Sequence, residues 1–459
     1  MVQESNAGES AKILTETTEK GSTEVNIDVK IGLLHTIAKA IYATPVGKIR
    51  EAVANAQDNG ATWIVILADR TTNSLSIYDN GDGIDRNRFD IIFTSIGYGL
   101  LTDEQQAKLS YFGLGLMSIF QLGNSVKLFT NSKSSKEYLQ LEVNTMAIFD
   151  QKRKGERISN LKNYISINNA TEDMRNSLSA PQLDEFIKAT FGSMPSNHTE
   201  IIIQDLNKAD LETICEPEFV DNLRKLLPLK VEPNEPFLKR FTGTEGKSIK
   251  ALLGDSNFCP TTDVFFGVRG EGLTEVVNGS ENNGSKEPEI RQLWKYFPKF
   301  RSDIEFPDAN VKFRNDATED FAYYIVHTVA QDLHRNPEDP RENGFWVRNR
   351  NYLVKAADFL EKPGPGRRII SPPLRNWIYG EIFHKNMNHF LQVSRSDFLF
   401  TENAFLEFRE KILEIVYPLD KKMRKIWEEK NKIENNIIKP FAKIAETGGT
   451  IDKVKQRLR

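Results

Sequence analysis

Apolar and polar residues recur along three parts of the chain with spacings that predict particular elements. Residues 46–59 carry apolar side chains at helical intervals and end in Asn59-Gly60, which is typical of a helix and its stop. Residues 74–78 alternate between apolar and polar side chains, which predicts a strand leading into a glycine-rich turn. Residues 116–120 form an apolar run directly after two glycines, which predicts the first turns of a buried helix.

The predicted helix over 46–59 presents a polar set on one face. Glu51, Asn55 and Asp58 are spaced i, i+4 and i+7, so their side chains line up along the helix. The Asn55 amide oxygen suits Mg²⁺, which prefers oxygen ligands, and the Glu51 carboxylate can accept a proton from an attacking water. The alternative is an amphipathic helix whose polar face meets solvent.

The turn after the predicted strand combines an aspartate with two glycines. Gly81 and Gly83 let the backbone approach a flat ligand closely. Asp79, at the strand end, can accept a hydrogen bond from an exocyclic amine such as that of adenine. The alternative is a tight turn between two elements, for which the same residue types are suited.

Glycines also precede the apolar run at 116–120. Gly113 and Gly115 leave the N–H groups of a helix N-terminus open to an anion, an arrangement suited to phosphates. Upstream, Gly97 and Gly99 interrupt a segment that then becomes polar, which is consistent with a lid. Glycine packing at the start of a helix is the alternative for Gly113 and Gly115.

In their order along the chain, the helix with Glu51, the turn after Asp79 and the segment with Gly113 resemble the N, G1 and G2 boxes of the GHKL superfamily. That superfamily includes gyrase, histidine kinases, MutL and the ninety-kilodalton heat-shock chaperones. The similarity is greatest to the chaperones and the MORC ATPases, and residues 24–42 resemble the chaperones' N-terminal strand and helix. The resemblance implies a two-layer α/β sandwich, the Bergerat fold, that binds ATP and Mg²⁺. It implies Glu51 as general base, Asn55 as Mg²⁺ ligand and Asp79 as adenine anchor. The other pocket residues that it implies are Asp58, Gly81, Gly83, Gly97, Gly99, Phe112, Gly113, Leu114, Gly115, Leu116 and Thr199.

Thr199 is implied as a pocket residue by a separate segment of the chain. Residues 198–206 resemble the family strand whose threonine supports the adenine-binding aspartate. His198 stands where that family usually has a glycine.

The second half of the chain extends the resemblance. Residues 344–354 and 376–382 are predicted strands, and with residues 390–398 their order resembles the chaperones' middle, or transducer, domain. A Leu-x-x-Ser-Arg segment of that domain reaches the γ-phosphate, so the resemblance implies Arg395 as a second catalytic residue. A guanidinium stabilises a transferring phosphoryl group through forked hydrogen bonds. MORC proteins have a lysine in the comparable segment, and a surface arginine is the alternative.

The predicted organisation is an α/β ATP-binding domain, an α/β transducer-like domain and a C-terminal helical segment. The predicted bounds are a disordered tail over 1–22, the ATP-binding domain over 23–210, the transducer-like domain over 211–402 and the basic helical segment over 403–459. Helices are predicted over 318–335 and 403–416, with Pro418 as a break. Residues 291–301 mix basic and aromatic side chains, which suits a helix with a buried aromatic face or, alternatively, stacking on single-stranded nucleic acid.

Composition narrows the context. The 459 residues carry a formal net charge of −3, so there is no global basic excess of the kind that accompanies nucleic-acid binding. The last forty residues nevertheless hold 12 lysines and arginines against 6 acids, which suits a DNA-binding or dimerising tail or a solvated helix. Two cysteines are too few for a disulfide framework, and no run resembles a membrane helix. A cytoplasmic location is expected, or a nuclear one for a eukaryotic MORC-like protein.

The sequence therefore predicts an ATPase that converts ATP and water to ADP and phosphate slowly, because domain closure often limits such enzymes. Nucleotide-dependent homodimerisation, as in the chaperones, is implied by the resemblance. Three roles stay open: a clamp acting on protein clients, a MORC-like or topoisomerase-like clamp acting on DNA, and a nucleotide-sensing scaffold with little turnover.

Overall fold

The structure is a computed structural model. It describes residues 11–17, 23–29, 43–89, 118–135, 137–149, 163–241, 243–270, 290–304, 306, 309–312, 320–328, 333, 342–355, 376–392, 397–433, 435–436 and 439. The chain divides into two compact units, of which the first comprises Met1–Lys230 and Thr261–Tyr296 and the second Val231–Pro260 and Phe297–Arg459.

The first unit is built on a mixed eight-stranded sheet. Its strands are β3 (Trp63–Asp69), β4 (Ser74–Asp79), β5 (Gly123–Asn131), β6 (Tyr138–Val143), β7 (Ile165–Asn169), β8 (His198–Leu206), β9 (Asp263–Arg269) and β10 (Arg291–Leu293). They lie in the order β10-β9-β3-β4-β8-β5-β6-β7, so β4 and β8 are central neighbours. β9 pairs in parallel with β3, while the other neighbours pair antiparallel.

Helices accompany this sheet in the first unit. They are α1 (Pro45–Asp58), α2 (Thr145–Ile148), α3 (Glu172–Asn176), α4 (Pro181–Phe191), α5 (Lys208–Ile214) and α6 (Pro217–Leu226). Leu183 and Ile187 of α4 pack against Val65, Leu67 and Tyr78, on one face of the sheet. The predicted α/β class is thus confirmed for the first unit.

The second unit contains a five-stranded sheet. Its strands are β11 (Ala309–Lys312), β12 (Phe321–His327), β13 (Gly344–Asn349), β14 (Tyr352–Lys355) and β15 (Ile378–His384), in the order β11-β12-β15-β13-β14. Its helices are α7 (Pro236–Lys239), α8 (Thr244–Leu253) and α9 (Asn403–Ile433). Apolar residues of α9, among them Phe408, Ile412 and Val416, share a core with β12, β13 and β15. This second α/β unit also agrees with the predicted class.

The division between the units differs from the predicted boundary at 210. It falls after Lys230, and residues 261–296 return to the first unit. The return is explained by β9, which extends the first sheet beside β3 although about two hundred residues separate the strands in sequence. Hydrophobic periodicity carries no information about such a distant pairing.

The N-terminal prediction of a disordered tail over 1–22 is wrong for part of its length. β1 (Ala11–Thr17) pairs antiparallel with β2 (Thr23–Val29) in a separate two-stranded sheet. The reason is local, because Ile13, Thr15 and Thr17 are β-branched residues that favour extended backbone. The helix predicted by resemblance after β2 lies outside the described residues.

Two helix predictions in the second half are corrected. The region predicted as a helix over 318–335 contains β12, whose aromatic and β-branched residues pair with β11 and β15. Pro418 does not break α9, which continues to Ile433. A proline in a helix removes one hydrogen bond, and the packing of Val416, Leu419 and Met423 into the core favours the continued helix over that loss.

Two strand and surface predictions are also refined. The strand predicted over 344–354 is a hairpin of β13 and β14, with positive φ at Arg350 (48°) and Asn351 (66°), as in a type I′ turn. Residues 291–301 form no helix, and Tyr296 and Phe297 are buried, so the aromatic residues serve packing. In the described part of the chain, none of the helices combines the length and hydrophobicity that crossing a membrane requires.

Candidate functional site

The first component of the site is helix α1. The Thr44 hydroxyl accepts a hydrogen bond from the Gly47 N–H at 3.3 Å, and Pro45 occupies the first helical position, so the helix has a well-formed start. It ends before Gly60, whose φ of +80° few other residues adopt. The cap and stop thus place Glu51, Asn55 and Asp58 on one continuous helix.

The polar residues of α1 are not a simple solvent face. Glu51 is only 1% exposed, whereas Asn55 and Asp58 are partly exposed. Lys48 is also buried, and its Nζ lies 3.9 Å from Asp210 of α5. Burial lowers the pKa of Lys48, while the charge of Asp210 opposes this shift. Because burying a carboxylate is costly, the burial of Glu51 argues against the solvent-face alternative.

The second component is the turn that follows Asp79. The Asn80 Oδ1 accepts hydrogen bonds from the N–H groups of Thr62 (2.9 Å) and Trp63 (3.0 Å). The Asp82 N–H donates to the Asn59 carbonyl at 2.8 Å, which joins the turn to the end of α1. These bonds hold the turn against both the helix and the start of β3.

Glycine is required at both positions that the sequence singled out in this turn. A Cβ at Gly81 would lie 2.9 Å from the Asn59 carbonyl oxygen and 2.9 Å from the Asp79 Oδ1. Gly83 has a φ of +70°, and a Cβ there would collide with the Asn131 carbonyl. The structure therefore uses these glycines for close backbone packing, as the tight-turn alternative states, and this packing fixes the backbone beside Asp79.

The third component is the pairing of Asp79 with Thr199. The two residues lie directly opposite each other on β4 and β8, so their side chains share one face of the sheet. Asp79 is 6% exposed and Thr199 is 4% exposed. The Asp79 Oδ1 accepts a hydrogen bond from the Gly81 N–H at 2.9 Å. A buried carboxylate, a hydroxyl and a glycine backbone thus meet at one point, where the resemblance places adenine recognition.

Thr130 belongs to the same cluster, although the sequence did not identify it. It lies opposite Thr199 on β5, and its hydroxyl is 3.5 Å from that of Thr199. The same hydroxyl donates to the His198 carbonyl at 3.0 Å and accepts from the Ile84 N–H at 2.8 Å. Thr130 therefore links β8 to the chain that leaves the turn. No sequence motif marks Thr130, because its place in the cluster depends on the pairing of β5 with β8, which are distant in sequence.

The environment of Asp79 changes its acidity. Burial raises the pKa of the Asp79 carboxyl to about 7, and the hydrogen bond from the Gly81 N–H opposes the rise. Near neutral pH the group is therefore divided between its acid and its carboxylate. A ligand that donates a hydrogen bond to this group favours the carboxylate.

Several predicted residues lie outside the described part of the chain. They are Gly97, Gly99, Phe112, Gly113, Leu114, Gly115, Leu116 and Arg395. Their assignments stay predictions.

The oxygen donors of the described residues bear on the predicted Mg²⁺ site. Within the described ranges, no group of three or more His, Cys, Asp or Glu side chains is arranged to hold a metal ion. Mg²⁺ commonly binds through one or two protein oxygens together with water and nucleotide phosphates. Asn55, partly exposed on α1 one turn from Glu51, fits that type of ligation.

Residues 43–175 match the family model of histidine kinase-, DNA gyrase B- and HSP90-like ATPases. The matched segment includes α1 and the Asp79 turn, and it supports a GHKL ATPase domain that binds and hydrolyses ATP. It ends before β8, so Thr199 lies beyond it. A comparison with curated proteins gives no match to the chain.

Proposed function

We propose that the first unit binds Mg-ATP and hydrolyses it, with adenine held at Asp79 and Thr199. The observation that carries this proposal is the in-register pairing of these two buried residues beside Gly81. The Asp79 carboxylate accepts a hydrogen bond from the exocyclic amine, and Thr199 lines the same face. Specificity follows because a base without that donor leaves the buried carboxylate without its hydrogen bond.

The triphosphate chemistry is assigned to α1. Asn55 supplies an oxygen to Mg²⁺, which neutralises charge on the phosphates when it is bound. Glu51 orients the attacking water and takes its proton, a role consistent with a carboxylate held at 1% exposure on the same helix. The glycine loop at Gly113 and Gly115 is assigned to the phosphates on the resemblance alone.

The finer assignment is a chaperone-like or MORC-like cycle. In it, ATP drives lid closure, Arg395 acts as a second catalytic residue and two chains dimerise. The support is the resemblance of the second half to a transducer domain, together with a second α/β unit in the fold. Equal mass by light scattering with and without a non-hydrolysable ATP analogue would contradict the dimerisation step.

Glu51→Gln tests the proposed reaction directly. The substitution keeps the shape of the side chain but removes the base, so steady-state ATP hydrolysis should fall roughly 10²–10⁴-fold while ATP binding persists. Glu185→Gln is the matched control, because Glu185 is exposed on α4 and should leave the rate unchanged. Equal rates for wild type and Glu51→Gln would remove Glu51 as the base. Tight ATP binding by a wild type without turnover would instead favour the nucleotide-sensing scaffold.

A second candidate function is a clamp that acts on DNA. Its specific observation is the distal part of α9, where Lys421, Lys422, Arg424 and Lys425 are exposed around the buried Met423. Exposed cations at this density can neutralise phosphates of a duplex and release counterions.

Salt-dependent DNA binding decides between this candidate and a clamp for protein clients. Lys421→Gln/Lys425→Gln should reduce the slope of log affinity against log salt by about 1.8, because each phosphate that is no longer neutralised lowers the slope by about 0.9. Lys208→Gln, an exposed lysine on α5, is the control and should leave the slope unchanged. If the wild type shows no salt-dependent DNA binding, the DNA candidate is rejected.

A further inference from the structure

The face of the sheet opposite Asp79 and Thr199 carries a second polar cluster. Successive residues of a strand point to opposite faces, so Tyr78, His198 and Glu200 lie behind the proposed adenine site. Each of them is next in sequence to Asp79 or Thr199. All three are buried, with exposures of 0%, 6% and 0%. The cluster is therefore attached through the backbone to both residues that the site uses.

Charged hydrogen bonds hold Glu200 on this face. Its Oε2 accepts from the Arg175 Nε at 2.5 Å, and its Oε1 accepts from the Ser179 hydroxyl at 2.7 Å. One oxygen of Glu200 is thus bound from α3, by Arg175, and the other from the segment between α3 and α4, by Ser179. Charge-assisted hydrogen bonds of this type are stronger than neutral ones and hold the side chain more firmly.

Arg175 is itself anchored to α4. Its Nη1 and Nη2 donate to the two carboxylate oxygens of Asp184 at 2.9 and 2.6 Å. The guanidinium lies over the Tyr78 ring, 5.6 Å from the ring centre. Arg175 therefore contacts β8 through Glu200, β4 through Tyr78 and α4 through Asp184.

Ring stacking completes the connection between the two strands. The Tyr78 and His198 rings lie nearly parallel, with centroids 5.2 Å apart. Burial lowers the pKa of His198 to about 4, and the nearby Arg175 charge adds to this shift. The imidazole is therefore neutral near neutral pH, which permits close packing against Tyr78 beside a guanidinium.

The burial of these charges suggests a role beyond stability. Burial raises the pKa of Glu200, while the Arg175 charge and the Ser179 hydrogen bond oppose the rise. Buried ion pairs are often no more stabilising than apolar residues of similar volume. Their strong directional bonds can, however, specify one arrangement of the groups that they join.

We propose that Arg175 and Glu200 are positioning residues that hold Asp79 and Thr199 in the geometry for adenine recognition. On the opposite face of the sheet, Arg175 and Ser179 bind Glu200, and the Tyr78 and His198 rings stack on each other. Thr199 lies between His198 and Glu200 in sequence, and Asp79 follows Tyr78. A sideways shift of β8 against β4 would separate the aspartate from the threonine, and the network opposes that shift. The inference rests on the proposed function.

The experiment compares binding of ATP with binding of inorganic tripolyphosphate, which lacks the base. Glu200→Gln keeps the shape but weakens the bond to Arg175. We expect its ATP affinity to fall about tenfold, roughly the contribution of one hydrogen bond, with tripolyphosphate affinity unchanged. Glu381→Gln, at a buried glutamate of the second unit, should leave ATP affinity unchanged. A purely structural role of Glu200 would weaken both ligands equally, or neither, and would overturn the proposal.

A milder pair of variants keeps the test decisive if either glutamine variant fails to fold. Ser179→Ala removes one hydrogen bond to Glu200, and Tyr324→Phe removes the corresponding bond of 2.9 Å to Glu381. ATP affinity should fall about threefold in the first and stay constant in the second. Equal ATP affinities in the two would overturn the positioning role.

The wild-type measurement separates the two levels of inference. If wild type binds ATP no more tightly than tripolyphosphate, adenine recognition fails and the positioning role fails with it. If wild type prefers ATP but Glu200→Gln retains the full preference, only the positioning role fails.

Discussion

Each unit buries an arginine–glutamate pair whose glutamate lies on a central strand of its sheet. In the first unit Arg175 contacts Glu200 on β8, and in the second Arg348 contacts Glu381 on β15 at 2.6 Å. All four side chains are at most 2% exposed. The two pairs are therefore alike in chemistry and burial, and they differ in what surrounds them.

The difference lies in the neighbours along the strand. Glu200 follows Thr199, which faces Asp79 across the ladder, whereas Glu381 precedes Ile382, a residue of the apolar core. The cross-strand neighbours are alike, because Glu381 lies opposite Tyr324 and Trp346 and Glu200 lies opposite Tyr78 and Phe129. The same ion pair can thus lie behind the proposed adenine site in one sheet and within a packed core in the other. Its role has to be inferred from its surroundings.

The largest expected effect is on stability, and it falls on the second unit. Glu381→Gln leaves Arg348, at 0% exposure, without its carboxylate, and such a change typically costs about 3–5 kcal/mol of unfolding free energy. Glu200→Gln should cost less, because Arg175 retains the forked contact with Asp184. Denaturant unfolding of both variants measures the difference. A larger loss of unfolding free energy in Glu200→Gln than in Glu381→Gln would show that Asp184 alone does not balance the buried charge of Arg175.

A smaller effect is expected on the ATP affinity of the first unit when pH changes. The Asp79 pKa of about 7 lies above its usual value of 3.8, so this group stabilises the fold fully below pH 3.8 and loses that contribution as pH rises through 7. Binding of an amine donor favours the carboxylate and releases a proton. ATP affinity should therefore fall as pH drops below 7, by at most about tenfold per unit, and level off above it.

Titration calorimetry at pH 6 and pH 8 in buffers of different ionisation enthalpy checks this dependence. Asp79→Asn cannot titrate at this position and should bind weakly without the same pH dependence. If wild type binds ATP with the same affinity at both pH values, the Asp79 carboxyl does not hydrogen-bond to adenine.

Local pattern was sufficient for much of the site. The helical spacing of residues 46–59 located α1, and the alternation before Asp79 located β4 and its turn. The resemblance located β8, and the structure places Thr199 opposite Asp79. These elements were accessible because their signals lie within short windows of sequence.

The remaining parts depend on distant pairings. Thr130 joins the cluster across β5 and β8, and Arg175 reaches Glu200 from 25 residues away. β12 was predicted as a helix because its apolar run, flanked by charged residues, does not distinguish a buried strand from a helix. Pairing with β11 and β15 makes that segment a strand rather than a helix.

The most direct test of the central claim is the affinity of Mg-ATP for Asp79→Asn beside Asp82→Asn. Asp82 is three residues further along the same turn, and its exposed side chain pairs with the exposed Lys133. An amide at position 79 has one acceptor oxygen, which the Gly81 N–H binds, so its NH2 group faces the exocyclic amine. ATP affinity should therefore fall at least about tenfold, while Asp82→Asn should bind as wild type does. Equal affinities in the two variants would contradict adenine recognition by Asp79.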